Sequence, residues 1–393
     1  MSTTSKGFAS ALQSAPATGH ARIAGIGGYR PRRVVPNSEL VEAINSSDEW
    51  IRERSGIIER RFAGEGESVI DMSVMAAEPA LEMAGLKGSD IDAILVATIS
   101  WPYQTPAAAP LIAERFGTDA MAIDLSAACA GYCHGIALAN DMVRGGSAEN
   151  VLVVGVERLS DFTSRDDRGT AFIFGDGAGA AVISRSETPG IGPTIWGSDG
   201  EKWDAISQTD SWIDVREKGL DWPHIGMQGQ TVFRWAVWGM APVAQRALDA
   251  AGVTVDQLDA FVPHQANVRI VEAMAKKLNL PPDVAIARDI AYTGNTSAAS
   301  PCRSASARAC PTPRRSSSSP DEFPWAHGSP GPSTTPTHSM TIEEGVPTWH
   351  RVSRRSSPDW PRSPTRRPAS TRPRSSRTSR SPPTPTSTRR RRC

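Results

Sequence analysis

Cysteine is scarce in this chain of 393 residues: there are five, and only Cys129 and Cys133 precede Ser300. Two cysteines four positions apart, without a second pair, match neither a zinc-ligand pattern nor a disulfide framework. The chain also has no run of about 18 apolar residues, which a membrane-spanning helix would need. These shortages predict a cytoplasmic protein without a membrane segment, a disulfide scaffold or a bound metal.

Charge is divided unevenly along the chain, although the formal net charge is only +1. Lysine is absent after Ser300, where 18 Arg stand against 5 acidic residues, so the first 300 residues are net acidic. An acidic body repels a phosphate backbone, which argues against nucleic acid as a partner. Polyanion binding stays open for the arginine-rich end alone.

The two ends of the chain differ in composition from its middle. Residues 1–20 are rich in Ser and Ala and lack the apolar core of a signal peptide, so we expect a disordered leader. Residues 301–393 consist largely of Pro, Ser, Thr and Arg with few aliphatic side chains. Such a segment cannot bury enough apolar surface to offset its ordering entropy, so we expect a disordered tail.

Short apolar segments alternate with amphipathic ones between these ends, which predicts an α/β fold with a largely buried sheet. The segments read as strands are Ala93–Thr98, Ala122–Leu125, Val151–Val156 and Ala178–Ile183. Helical spacing covers Ile70–Ala84, Gly135–Val143, Val232–Ala251 and Ala266–Leu278. The helix–loop–strand order from Val232 to Val262 parallels that from Ile70 to Thr98, which is a sign of internal duplication, although chance explains so short a parallel equally well.

Three motifs carry reactive or polar side chains. Cys129 follows the strand that ends at Leu125 and precedes a helix, whose N-terminal dipole favours a thiolate. His264 follows an apolar strand, and Asn295 lies in a Gly-Asn turn before a run of small residues. Taken singly, each has a plain structural explanation: a buried inert cysteine, a structural histidine and a loop that opens a helix.

Together, in order and spacing, the three motifs resemble those of the beta-ketoacyl-acyl carrier protein synthase III family. Supporting matches are Ser47–Ile51 with Arg54, Arg168 followed by Gly-Thr, and Phe174-Gly-Asp176-Gly-Ala-Gly. The resemblance covers about Arg22 to Ser300 and implies a thiolase-like fold. It implies two duplicated, layered α/β halves: residues 21–190, which carry Cys129, and a truncated second half, residues 191–300, which carries His264 and Asn295.

The resemblance implies a decarboxylative condensation. Cys129 would hold an acyl group taken from acyl-CoA, which divides a difficult reaction into two easier ones. His264 and Asn295 would donate hydrogen bonds to the thioester oxygen of malonyl-acyl carrier protein as decarboxylation places negative charge there. Acyl-CoA and malonyl-acyl carrier protein are substrates in this reaction, and no cofactor is implied.

The resemblance also implies binding residues. Trp50 and Arg168 would stack on the adenine of CoA, with Arg54 near its phosphates, although Trp50 alone reads equally as a core aromatic. Arg269 would contact acyl carrier protein, although a basic residue on a solvated face is the plain alternative. Thr105 stands where acetyl-preferring members have Phe, which predicts a pocket for longer or branched acyl primers. That residue reaches across the interface of a homodimer in the family.

The chain departs from the family after Asn295. The family continues into a final strand pair whose glycine-rich loop supplies one N–H of the oxyanion hole, whereas here Pro301–Cys393 follows. A shifted reading frame in a GC-rich gene explains this better than a natural tail. The codons of Asp359 and Trp360, read from the third base together with those of their neighbours, permit Gly-Leu-Ala-Glu-Ile. In the same frame, the codons of Ser379–Arg389 permit Ser-Phe-Thr and then Asp-Val-Asp-Ser. These residues resemble the start of an acyl carrier protein. A gene sequence whose other frames lack these residues would contradict the idea.

Two alternatives to the condensation stay open. One is a polyketide starter-unit synthase or an acyltransferase of the same fold. The other is an inactive relic, truncated by the change of frame.

Overall fold

The computed structural model describes residues 19–299, which belong to one compact unit. The predicted disordered tail (301–393) and nearly all of the predicted leader lie outside the described residues. The strands are β1 (His20–Tyr29), β2 (Arg33–Pro36), β3 (Glu59–Phe62), β4 (Ala93–Ala97), β5 (Met121–Leu125), β6 (Asn150–Glu157), β7 (Gly177–Ser186), β8 (Ile206–Gln208), β9 (Ile225–Met227), β10 (Ala260–Phe261) and β11 (Ala285–Ile286). The α-helices are α1 (Asp48–Ser55), α2 (Val69–Ala84), α3 (Ala109–Phe116), α4 (Gly131–Arg144), α5 (Trp212–Lys218), α6 (Gly229–Ala251), α7 (Val268–Lys277) and α8 (Ile290–Thr293).

A five-stranded sheet in the order β1-β7-β6-β4-β5 forms the centre of the first half. β4, β5 and β6 run parallel, whereas β7 is antiparallel to both β1 and β6. All four predicted strands of this half belong to this sheet, so their prediction is confirmed. Burial on both faces of the sheet explains the continuous apolar sequences of β4, β6 and β7, whereas β5 is an edge strand and exposes Met121 and Ile123.

Helices cover both faces, and alternate strand residues divide between them. Ile94 and Val96 of β4 join the apolar cluster that contains α2 and α3, whereas Ala93 and Leu95 join the cluster that contains α4. This division follows from the two-residue period of a strand. The result is a layer of helix, a layer of sheet and a second layer of helix.

β1, which the apolar pattern does not predict, lies directly against α2. A Cβ atom on Gly25 would come within 2.1 Å of the Ala80 carbonyl oxygen, and one on Gly27 within 2.1 Å of the Ala76 oxygen. The strand therefore needs glycine where its backbone meets the helix backbone. Those glycines weaken the hydrophobic pattern by which a strand is recognised in a sequence.

The second half repeats the local order of the first, as predicted. α2 ends at Gly85 in the left-handed conformation, and a 3-10 turn at Gly88–Asp90 leads into β4. Likewise α6 ends at left-handed Gly252, and a 3-10 turn at Val255–Gln257 leads into β10. The described strands of this half form only the two-stranded pairs β8–β9 and β10–β11.

Across residues 19–299 no helix is both long enough and apolar enough to span a bilayer. In the same range, no three His, Cys, Asp or Glu side chains are grouped so that they could hold a metal ion.

Candidate active site

Cys129 lies in a 3-10 turn, Ala128–Ala130, between the end of β5 and the start of α4. The residue before it, Ala128, has a φ of +43°, a left-handed conformation that is uncommon for a side chain with a Cβ. No side chain caps the start of α4, and the dipole at this end of the helix favours a negative charge near the sulfur. The structure thus confirms the predicted position at a strand-to-helix turn.

His264 follows β10 in a turn that is fixed from beneath by Gln265. The fully buried Gln265 side chain donates from Nε2 to the carbonyl oxygens of Pro263 (3.0 Å) and Ala287 (3.2 Å). Nε2 of His264 is buried and forms no hydrogen bond of ordinary geometry within residues 19–299. A buried polar atom without a partner is uncommon, and it is suited to bind a substrate oxygen.

Asn295 is held by its backbone against the segment before β7. Its N–H donates to the carbonyl oxygen of Ile173 (2.8 Å), and its own carbonyl accepts from the N–H of Gly175 (3.1 Å). Its side-chain Oδ1 accepts from the N–H of Ser297 at 2.9 Å, which fixes the orientation of the amide. Nδ2 is therefore left as a donor.

The chain after Asn295 packs closely against the Cys129 region. A Cβ on Gly155 of β6 would lie within 1.9 Å of the Ala298 carbonyl oxygen, and one on Gly131, two residues after Cys129, within 3.7 Å of the Ala298 side chain. Ser297 Oγ lies 3.7 Å from Cys129 Sγ and donates to it. The motifs at Cys129 and Asn295 therefore meet in space, although 166 positions separate them.

Cys129 and His264 influence each other's ionisation. Burial alone would raise the pKa of the Cys129 thiol, but the charge of nearby His264 and the hydrogen bond from Ser297 lower that pKa to about 7. Burial likewise opposes protonation of His264, but the negative charge of Cys129 outweighs it and raises the histidine pKa. Each side chain therefore stabilises the charged form of the other, and the thiolate is the reactive form of a cysteine.

Two residues of this region were missed in the sequence. Ser297 lay within a run of small residues with no sign that it would meet the sulfur. Glu157, at the end of β6, is fully buried, accepts from Ser100 Oγ at 2.6 Å and from the N–H of Ile99 at 3.2 Å. Burial raises its pKa to about 8, and the charge of Cys129 adds to this rise.

Trp50, Arg54 and Arg168 come together, as expected for residues of one binding site. The Arg168 guanidinium carbon lies 4.9 Å from the Trp50 ring centroid, and that of Arg54 lies 5.7 Å from it. Trp50 also contacts Phe172 edge-on at 5.2 Å. The partly buried Trp50 ring therefore packs against a core residue, and two guanidinium groups lie over it.

Arg269 and Thr105 lie outside the catalytic cluster. Arg269 is exposed on α7, and its guanidinium covers the Phe233 ring at 5.5 Å. Thr105 is exposed on the loop between β4 and α3, and within residues 19–299 no hydrogen bond joins it to Cys129, His264 or Asn295. The structure of one chain therefore does not test the predicted role of either residue.

Comparison with known proteins adds independent information. The family models described as 3-oxoacyl-[acyl-carrier-protein] synthase III and its C-terminal part match residues 123–200 and 248–307. Beta-ketoacyl-[acyl-carrier-protein] synthase III 1 of Streptomyces coelicolor is 58% identical over 293 residues, which cover 72% of this chain and 85% of the relative. The chain belongs to this synthase III family.

Further relatives in this family include a Mycobacterium marinum protein and solved structures. The Mycobacterium marinum enzyme is 50% identical over 277 residues, 70% of this chain and 83% of the relative. The priming beta-ketosynthase of the R1128 polyketide pathway has a TM-score of 0.71 at 43% identity and covers 74% of this chain and 87% of that one. The synthase III of Aquifex aeolicus has a TM-score of 0.65 at 37% identity, with 71% and 87% covered. The thiolase-like fold and the classification as a condensing acyltransferase are thereby confirmed.

Proposed function

We propose that the enzyme condenses an acyl-CoA primer with malonyl-acyl carrier protein to give a 3-oxoacyl-acyl carrier protein, through an acyl group on Cys129. The observation that carries the proposal is the meeting of a thiol of pKa about 7, the buried Nε2 of His264 and the oriented amide of Asn295. A nucleophile with two separate donors is what acylation followed by enolate formation requires.

The first half-reaction is acyl transfer. The Cys129 thiolate attacks the carbonyl carbon of the acyl-CoA, and CoA leaves as a thiolate that takes up a proton. Cys129 precedes the start of α4, and the dipole at that end of the helix stabilises negative charge on the sulfur. The product of this step is a neutral thioester on Cys129.

The second half-reaction uses the two donors. Loss of carbon dioxide from the malonyl group leaves its electron pair on the thioester as an enolate, whose oxygen accepts from His264 and from Asn295 Nδ2. The enolate carbon then attacks the acyl carbonyl on Cys129, and the cysteine leaves as a thiolate. Each such donor is commonly worth about 3 kcal/mol at the transition state.

Trp50, Arg168 and Arg54 are proposed to bind the nucleotide end of CoA. An adenine ring stacks well on Trp50, and a guanidinium suits either its outer face or a phosphate. Arg168 now lies 4.9 Å from the Trp50 centroid, about one stacking distance, so a base can enter between them only if Arg168 moves outward.

The acyl carrier protein and a second copy of the chain are the proposed protein partners. Arg269 lies exposed on α7, which contacts the helix of Trp50 and Arg54: Asn267 Nδ2, at the start of α7, donates to the Arg54 carbonyl oxygen at 2.9 Å. An exposed cation at this position suits an acidic carrier protein.

For the homodimer, β5 is an edge strand of the central sheet and exposes Met121 and Ile123. Unpaired apolar edges are commonly covered by another strand.

Thr105 is proposed to shape the acyl pocket of the partner subunit, in agreement with its exposed position in one chain. Its small side chain would admit primers that are longer or more branched than those a phenylalanine would admit.

The pathway stays open between fatty acid and polyketide synthesis, since the Streptomyces coelicolor synthase and the R1128 priming enzyme are both similar to this chain. A cytoplasmic location fits the two unpaired cysteines, Cys129 and Cys133, within residues 19–299.

The proposal is tested by incubating the full chain with isobutyryl-CoA and malonyl-acyl carrier protein and measuring the carrier protein by mass spectrometry. A 3-oxoacyl product, absent with Cys129→Ala, supports the condensation. Transfer of the acyl group to an alcohol or amine without loss of carbon dioxide favours an acyltransferase instead. A folded chain that leaves both substrates unchanged favours an inactive relic.

A further inference from the structure

Arg60, on β3, is a fully buried cation. Within residues 19–299 no carboxylate lies at ion-pair distance from it, and its nearest negative charges, Glu39, Glu59 and Asp48, act only at longer range. Burial lowers its pKa to about 10, so the side chain is still charged at neutral pH. A buried charge without an ion pair is destabilising unless hydrogen bonds compensate for its lost hydration.

The guanidinium of Arg60 joins three separate segments. Nη1 donates to the carbonyl oxygen of Val35 at 3.1 Å, and Nη2 donates to Asn37 Oδ1 at 2.5 Å and to the carbonyl oxygen of Phe172 at 3.1 Å. Asn37 in turn donates from Nδ2 to Asp48 Oδ1, at the start of α1, at 2.7 Å. The network therefore extends from α1, which carries Trp50, to Phe172.

The segment that begins at Phe172 holds Asn295. Ile173 accepts from the Asn295 N–H, and Phe174 forms a parallel β-bridge with Asn295. Arg60 also limits this turn directly, because a Cβ on Gly294, whose φ is +67°, would lie within 2.9 Å of Arg60 Cβ. Arg60 thus contacts the turn of Asn295 from one side and fixes its partner segment from another.

We infer that Arg60 is a positioning residue that holds the Asn295 amide in place for enolate formation, and that it links this amide to the Trp50 end of the site. The inference rests on the proposed role of Asn295 as a donor. Arg60 itself touches neither Cys129 nor His264 by any hydrogen bond in the described residues. Its loss should therefore affect the malonyl half-reaction much more than the chemistry of the cysteine.

The variant Arg60→Met tests this in the full chain, since it keeps an apolar stem and removes all three donated bonds. Arg60→Lys keeps the charge, but its single ammonium nitrogen does not reproduce the planar guanidinium, which reaches these acceptors from two separate nitrogens. Arg61→Met is the matched control: Arg61 is the next residue on β3, is partly exposed, and pairs with Glu59 at 3.3 Å instead of bonding to Phe172.

Two measurements are made on each variant. Hydrogen exchange followed by mass spectrometry compares the peptide containing Asn295 with the peptide containing Cys129. The rate of malonyl-thioester decarboxylation is compared with the rate of Cys129 alkylation by iodoacetamide. We expect Arg60→Met to lose exchange protection at the Asn295 peptide alone, and to slow decarboxylation by about 100-fold relative to alkylation, as for a donor displaced by about an ångström. Arg61→Met should change neither.

If Arg60→Met leaves hydrogen exchange at the Asn295 peptide unchanged, the inference is overturned. An equal loss of protection in both peptides also overturns it, because that result would show general destabilisation. The exchange result is independent of turnover. If the unaltered chain does not decarboxylate a malonyl thioester, the proposed function fails while the exchange comparison still decides whether Arg60 positions Asn295. If the unaltered chain is active and Arg60→Met decarboxylates at the same rate, the inference alone fails.

Discussion

Ser297 Oγ donates to Cys129 Sγ across 3.7 Å, and the same serine donates its N–H to the side chain of Asn295. One residue therefore connects the nucleophile of the first half-reaction with a donor of the second. Ser297 has a φ of +48°, a left-handed conformation that brings both of its polar groups toward these partners. The site is held together by this turn as much as by its three reactive side chains.

Replacement of His264 by alanine should raise the pKa of the Cys129 thiol above about 7, because burial would then act without the opposing charge of the histidine. Alkylation by iodoacetamide at pH 7 should slow by more than about tenfold, since the thiolate is the reacting form. Ser297→Ala should shift the alkylation profile in the same direction but less. An unchanged profile in His264→Ala would show that the two side chains do not interact.

Glu157→Gln should change how stability depends on pH. The pKa of Glu157 is raised from 4.5 to about 8 in the folded protein, so its contribution to stability is full below about 4.5 and is lost as pH rises toward 8. Glutamine does not titrate, so the free energy of unfolding of the variant should rise relative to that of the unaltered protein as the pH increases from 4.5 to about 8. Urea denaturation across this range measures the difference. The exposed Glu82→Gln is the control, and parallel curves for Glu157→Gln would contradict a raised pKa.

Trp50→Ala should weaken the binding of CoA by about tenfold or more, because stacking of a base on an aromatic ring is worth about 1–3 kcal/mol. Isothermal titration of CoA into the full chain measures the dissociation constant. Arg168→Ala should also weaken binding, through loss of the cation above the ring. Trp203→Ala, at an exposed tryptophan, serves as the control. Equal affinity of Trp50→Ala and Trp203→Ala would remove Trp50 from the nucleotide site.

Thr105→Phe should shift primer preference from isobutyryl-CoA toward acetyl-CoA, because the added ring fills pocket volume. Cys129 acylation by the two thioesters in direct competition gives the ratio. Because the exposed Thr105 acts on the partner subunit in this account, the shift should disappear in a variant such as Met121→Glu that prevents pairing at β5. An unchanged ratio in Thr105→Phe would show that this position does not line the pocket.

Much of the first half could be predicted from its sequence, because β4 and the central residues of β6 and β7 are apolar and are buried on both faces. Cys129, His264 and Asn295 could be found because their motifs resemble those of a known family. β1 could not be found, since its Gly25 and Gly27 meet α2 by backbone contact and leave little apolar pattern.

The supporting residues of the site could not be predicted for a different reason. Arg60 lies beside Arg61 in a charged stretch, and nothing local shows that the first is fully buried and bonded to a carbonyl 112 positions away. Glu157 and Ser100 are likewise 57 positions apart and meet only because β4 and β6 are neighbours in the sheet. Such contacts are properties of the folded chain, not of any short segment.

The most direct test of the central claim is the mass of the full chain after incubation with isobutyryl-CoA, followed by proteolysis to locate any added group. The account predicts one added isobutyryl group, on the peptide that contains Cys129, with uptake that slows when His264 is replaced by alanine. A folded chain that takes up no acyl group, or takes it up at Cys133 instead, would contradict the account.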